Sequence, residues 1–202
     1  MSELDSAIAL FEFDSISAGI VAGDAMVKTA PLGAIYSGTV HPGKYLVLVT
    51  GDTASVDEAV RVGNEAESLG DMVFLPDVHP TVAQAITGNA FLATVGDESL
   101  GVVETTTVAA AIDAADAGAK AAEVDLAAIR LADGLGGKGY VLFSGVVAEV
   151  EAALAAAVER AEGHGTLVRS DLIAQLHGEM ADNLRSDLRF LTRLSAQPAG
   201  GE

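Results

Sequence analysis

The stretch Gly43-Lys44-Tyr45-Leu46-Val47-Leu48-Val49-Thr50-Gly51 returns 94 residues later as Gly137-Lys138-Gly139-Tyr140-Val141-Leu142-Phe143-Ser144-Gly145. In both places a Gly-Lys turn enters a short apolar strand and a Gly leaves it. A second match, Ala22-Gly23-Asp24-Ala25-Met26-Val27-Lys28 against Ala114-Ala115-Asp116-Ala117-Gly118-Ala119-Lys120, recurs at an offset of 92. The chain has four lysines, Lys28, Lys44, Lys120 and Lys138, and all of them fall in these two pairs. Such coincidence marks a tandem duplication, so the 202 residues divide into two copies of one unit rather than forming one large domain.

Composition narrows what the two copies can do. Half of the residues are hydrophobic but only 4% are aromatic, so Ala, Val, Leu and Ile must fill each core. The formal charge of −18 argues against a nucleic-acid partner, which requires a basic footprint, and against docking on an anionic membrane surface. The absence of Cys excludes disulfides, thiolate metal sites and iron–sulfur clusters ligated by Cys. The opening Met1-Ser2-Glu3-Leu4-Asp5 is acidic and unlike a signal peptide. No apolar run approaches the ~18 residues of a membrane span, so a cytosolic protein is expected.

Along the chain, Ala7–Phe13 reads as a strand carrying Glu12, and Asp14, Ser15 or Ser17 caps a helix over 17–29. Pro31 and Gly33 stop that helix, and Leu32–Tyr36 reads as a second strand. Ser37 to Gly43 reads as a loop rich in turn formers. A strand at Lys44–Thr50, a helix at 55–67, a strand at Met72–Leu75 and a turn with a short helix at Pro76–Ile86 complete the first copy. The order then restarts at Leu100–Val103, where Glu104 stands as Glu12 did. A helix capped by Thr105 or Thr107 runs to Ala121, with strands at 126–131, 139–144 and 166–170 and a helix at 148–162. The loop Asp133–Gly137 reads as the shorter counterpart of the loop ending at Gly43, and Leu172–His177 as the counterpart of the turn and short helix. Each copy is therefore β-α-β-β-α-β, an α+β unit with sheet on one side and helices on the other. The expected division is 1–90, a linker at 91–98, 99–180, and a C-terminal helix and flexible tail at 181–202. In that tail, Leu184, Leu188, Leu191 and Leu194 recur at helical spacing from Met180 onward.

These residues carry a resemblance. The first copy offers Ile8-Ala9-Leu10-Phe11-Glu12, Gly23-Asp24-Ala25-Met26-Val27-Lys28, Pro42-Gly43-Lys44, Gly51-Asp52 and Val78-His79-Pro80. The second offers Leu100 to Glu104, Ala114-Ala115-Asp116, Lys120, Gly137-Lys138, Gly145 and Leu176-His177. In this ordered, duplicated set the chain resembles the bacterial microcompartment shell proteins. It is most similar to the unpermuted tandem-domain, trimer-forming class, including the propanediol-utilisation type whose pore can carry an iron–sulfur cluster. The resemblance implies a non-enzymatic homotrimer that forms a flat pseudohexameric tile. Such tiles meet hexameric and pentameric tiles in a shell that lies in the cytoplasm, encloses enzymes and passes small polar metabolites. It also implies that Val40, His41, Pro42 and Gly43, with Gly134, Leu135, Gly136 and Gly137, line a central pore, and that Lys28 and Lys120 sit on tile edges.

Each of these residues has a plainer reading. Lys28 and Lys120 could be solvated lysines near a helix C-terminus. His41 is expected in the longer of the two loops, where iron–sulfur relatives carry Cys. Three copies around an axis could hold a divalent metal with water, or form an unliganded polar rim. Gly134-Leu135-Gly136-Gly137-Lys138 is not a phosphate loop, because Gly139 and a strand follow it instead of Ser or Thr and a helix. Glu12 and Glu104 read as structural carboxylates near the first helix of each copy, and His79 and His177 as structural residues before a small helix. His164, between Gly163 and Gly165, reads as a surface loop residue. No nucleophile, base and orienting acid stand at a recognisable spacing, which leaves a pore-centred conduit as the main alternative to a purely structural role and a small-ligand enzyme as a remote one.

Overall fold

The computed structural model describes residues 6–87 and 98–186. The first repeat comprises β1 (Ala7–Phe13), α1 (Ile16–Thr29), β2 (Ala34–Val40), β3 (Lys44–Gly51), α2 (Thr53–Asn64), β4 (Leu69–Leu75) and α3 (Pro80–Ile86). The second comprises β5 (Ser99–Thr105), α4 (Val108–Ala121), β6 (Asp125–Leu131), β7 (Gly139–Gly145), α5 (Val147–Gly163), β8 (Leu167–Ile173) and α6 (Gly178–Ser186). The two antiparallel sheets have the orders β2-β3-β1-β4 and β6-β7-β5-β8, so both copies have the same topology.

Local chemistry starts the helices where the sequence suggests. Ser15 accepts from the Ala18 N–H, Asp52 from Ser55 and Thr107 from Ala110, each satisfying an amide that the helix itself leaves unpaired. Alternation along the central strands then decides what faces what. Ala7, Ala9, Phe11 and Phe13 of β1 pack with Met26, Val47, Val49, Val56 and Ala59 into a core of the first repeat's own helices and strands. Ile8 and Leu10 point to the other face of the sheet. They join Leu75, Val82, Val108 and Ile112 in a second cluster that runs into the second repeat. Glu12 is on that same face by parity, so a carboxylate is carried into the junction between repeats.

The two cores are filled differently. A bulky ring comes from β1 in the first repeat (Phe11) and from β7 in the second (Phe143). Each ring is admitted by a helical glycine: a Cβ on Gly63 would lie 2.2 Å from Phe11 Cε1, and one on Gly118 would lie 2.3 Å from Phe143 Cζ. Packing at this density leaves no room for even one added methyl.

Three expectations need correction. β2 begins at Ala34 and continues through Ser37, Gly38 and Thr39 to Val40, because β3 supplies a complete ladder as far as Val40 opposite Lys44. The turn that remains is only His41 to Gly43, whereas the second repeat's connection spans Ala132 to Lys138 and is the longer of the two. The direction follows from the offsets themselves, since helices repeat at 92 and strands at 94, which puts two extra residues in the second copy. Finally, Leu172 and Ile173 complete β8, and the short helix follows as α6. The helix expected at the start of the tail is thus the counterpart of α3; Leu188, Leu191, Leu194 and most of the linker at 91–98 lie outside the described residues.

Candidate functional site

The two turns named as pore-lining stand side by side in one chain. His41, Pro42 and Gly43 are exposed at the tip of the β2–β3 hairpin, with a cis bond between His41 and Pro42 and the Gly43 N–H donating to Val40 at 2.9 Å. The longer turn closes through Ala132 N–H to Lys138 C=O and Leu135 N–H to Ala132 C=O, both at 2.9 Å. It has positive φ at Gly134, Gly136 and Gly137. Gly137 is held twice over: its φ is +87°, and a Cβ there would meet Pro42 Cδ at 2.9 Å. Leu135 is half-buried, while Gly134 and Gly136 are exposed. Among the described residues, no group of three or more His, Asp or Glu side chains is placed to hold a metal ion within the chain.

A connected set of buried and part-buried carboxylates and their donors lies in the seam between the repeats. Glu12 is fully buried. One of its oxygens takes Lys44 Nζ at 2.5 Å and the other takes the Val108 N–H at 2.8 Å. The expectation of a carboxylate near its own first helix is therefore corrected: Glu12 serves the first residue of α4, in the other repeat. Asp71 of β4 accepts from Thr107 Oγ1 at 2.5 Å and from His164 Nδ1 at 2.8 Å. His164 Nε2 lies 3.0 Å from Asp113, whose carboxylate also takes Arg160 Nε at 2.9 and 3.0 Å. His164 is thus no surface loop residue but a bridge from the second repeat to the first. A ring with both nitrogens on carboxylates must donate twice, as only imidazolium can. The Asp113 and Asp71 carboxylates, outweighing the opposing effect of burial, raise its pKa to about 9. Burial alone would push both carboxyls up, but His164, helped by Arg160 and Thr107, holds them below their usual value. The sequence offered a faint signal here, a His between two glycines just past a basic helix end, but nothing that named its partners.

The remaining residues divide between open and closed positions. Lys120 Nζ holds Asp116 at 2.6 Å and also donates to the Asp77 carbonyl of the first repeat. Asp116 in turn accepts the His79 N–H at 2.7 Å. Among the described residues Lys28 pairs with Asp24 alone, at 2.5 Å, and its side chain is 70% exposed. Glu104 pairs with Lys138 at 2.7 Å on a partly exposed surface. His79 accepts from Thr81 N–H at the start of α3, and His177 stands at the same place before α6. The first-helix faces differ most: Val108 and Ile112 are fully buried, whereas their counterparts Ile16 and Ile20 are 40% and 53% exposed.

The BMC domain model matches residues 7–77 and again residues 99–176. The chain belongs to the bacterial microcompartment shell proteins. Over 180 residues it is 38% identical to the bacterial microcompartment shell protein PduT of Citrobacter freundii, covering 88% of this chain and 96% of that one. The crystal structure of a microcompartment protein from Desulfitobacterium hafniense is similar at a TM-score of 0.74 and 40% identity, over 88% of this chain and 99% of that one. A fused permuted hexameric shell protein from the RMM microcompartment is 19% identical with a TM-score of 0.52, over 81% of this chain and 100% of that one, and bears on the fold alone.

As a microcompartment shell protein the chain has a structural role and is not an enzyme. The microcompartment fold accounts for the duplicated sheet orders and for Glu12 and Glu104 at matching positions of β1 and β5. Among the described residues no helix is long and apolar enough to cross a membrane.

Proposed function

We propose that three chains close into a ring of six repeats, a pseudohexameric tile with a central pore. The observation that carries this is the unequal fate of two equivalent helices. α4 buries Val108 and Ile112 against the first repeat, while α1 leaves Ile16, Ile20 and Val27 open. On the far side, Ile173 and Met180 are 40% and 50% exposed, although their counterparts Leu75 and Val82 are buried. A head-to-tail contact that uses both open faces repeats the internal seam, and closure satisfies every copy alike. Sedimentation equilibrium should give about 61 kDa, three times the 20.4 kDa chain. A monomer at micromolar concentration would sink the tile.

The turns at Val40 to Gly43 and Gly134 to Gly137 line the pore, since Gly137 seats against Pro42 and so carries the two turns of each chain together. The exposed His41, Gly43, Gly134 and Gly136 there give a polar rim with little apolar side chain, which suits small polar metabolites. Lys28 and Lys120 face neighbouring hexameric and pentameric tiles of a shell that encloses enzymes. Because Lys120 is also tied into the seam, Lys28 is the residue to test. Lys28→Asp should keep the trimer mass but prevent sheets seen by electron microscopy; a lowered mass would mean that Lys28 acts inside the tile.

A narrower reading concerns His41, the one imidazole on these turns and exposed at the hairpin tip. A ring brings three copies toward one axis, a donor set suited to a divalent ion with water. Untagged wild-type protein should then take up zinc at about one ion per trimer and His41→Ala none. Equal uptake by both proteins would leave only the structural role.

A further inference from the structure

Inside the chain, β4 and α3 of the first repeat meet α4 and the loop after α5. The same two surfaces occur a second time, with no such partner among the described residues: β8 with α6, and α1 with the loop after α2. The strand registers fix the equivalence residue by residue. Glu12 lies opposite Asp71 across β1 and β4, and Glu104 lies opposite Arg169 across β5 and β8, with a register shift directly after each glutamate. Asp71 and Arg169 therefore occupy one position with opposite charge.

The surfaces that receive them are inverted as well. Asp71 is met by His164 in the loop after α5. The loop after α2 has no imidazole and instead presents Glu65 and Glu67, both exposed. These two glutamates, with Ser15 and Val21, border an open groove of about 410 Å³ between α1 and α2. Ser15 caps α1 as Thr107 caps α4, and it is the Thr107 hydroxyl that donates to Asp71 in the closed seam. Val21, 66% exposed, stands where α4 has the buried Asp113. The groove is thus the open counterpart of the place that Asp71 occupies inside the chain. Arg169 is well exposed and is held by a fork to Asp171 at 2.5 and 2.8 Å, which presents its guanidinium at the surface.

We propose that Arg169 of a second copy of this chain enters the groove between α1 and α2 and pairs with Glu65 and Glu67. The seam between chains is then a charge-inverted copy of the seam within the chain. This rests on the trimeric reading above and adds to it the residues that join one chain to the next. β4 and α4 already hold each other inside the chain, so the open β8 has the open α1 to meet, and there Arg169 brings the charge that Glu65 and Glu67 lack.

The test begins with the mass of wild-type protein. A wild-type monomer refutes the tile itself and, with it, this proposal. Given a wild-type trimer, Arg169→Glu should weaken association about a hundredfold or more, as like charges meet in the groove. Arg169→Gln, which only removes the charge, should weaken it less. Glu65→Arg with Glu67→Arg should dissociate the trimer likewise, and combining these with Arg169→Glu should restore it. Circular dichroism of the monomers checks that the exposed substitutions leave the fold intact. A wild-type trimer whose Arg169→Glu form assembles equally well, or whose dissociation is not reversed by the compensating arginines, overturns the proposal while leaving the tile standing.

Discussion

Glu12→Ala is expected to cost about 3 kcal/mol or more of stability, read as a lowered urea midpoint at unchanged slope. The carboxylate is fully buried and each oxygen has its own task. One oxygen neutralises Lys44, and the other accepts the Val108 amide at the start of α4. Burial alone would push the Lys44 ammonium down, yet the Glu12 carboxylate outweighs it and lifts the group above its ordinary value. Removing the carboxylate leaves a desolvated cation and an orphaned N–H together. Asp14, 3.7 Å from Lys44, offers only partial compensation. Glu12→Gln keeps an acceptor for Val108 and loses the ion pair, so it should fall between wild type and alanine. Glu104 supplies the control. It has the same place in the second repeat but is 35% exposed, so in the monomer that Glu65→Arg with Glu67→Arg should give, where its cross-strand neighbour Arg169 is intact, its removal should cost under about 1 kcal/mol. Equal losses at the two positions would mean that the buried junction with α4 contributes nothing.

The contrast between those two glutamates also marks the limit of what the sequence reveals. The duplication, the two α+β units and the caps at Ser15 and Thr107 are legible, because spacing and local hydrogen bonding decide them. The extent of β2 is not. Ser37, Gly38 and Thr39 look like a loop, but β2 is an edge strand with solvent on much of its surface. There β3 dictates pairing, and turn-forming residues are tolerated. The turns bearing His41 and Gly134 to Gly137 are recognisable as corresponding segments, while their mutual contact through Pro42 and Gly137 is tertiary. The seam is the least legible part. Asp71 with His164, 93 residues apart, and Glu12 with Val108, 96 apart, are brought together only when one repeat docks on the other. A duplicated sequence shows that two units are alike. It does not show that one copy of each surface is closed inside the chain and the other left open, and this asymmetry is what makes a ring of chains the natural completion.

His164→Ala should remove about 2–4 kcal/mol near pH 6, and the loss should depend on pH in a defined direction. The ring's pKa is about 9 in the folded chain against 6.5 for a free imidazole, raised first by Asp113 and then by Asp71. A raised pKa means that the folded state holds the proton more tightly. The contribution is therefore complete below pH 6.5 and is lost as pH climbs through 9. Allowing for the part of the ring that water reaches, about 2 kcal/mol should disappear across that window. The carboxylates work in the opposite sense. Asp71 and Asp113 are held below their ordinary value, so their share is present above pH 4 or so and is lost as acid protonates them. Arg160 keeps its charge throughout and goes on holding Asp113 after His164 has titrated, so the seam loosens at Asp71 first. Urea midpoints for wild type and His164→Ala, taken at pH 6 and again at pH 9.5, should differ widely at the first and converge toward the second. A gap that stays constant would show that the imidazole fills space in the seam without carrying the charge that joins the repeats.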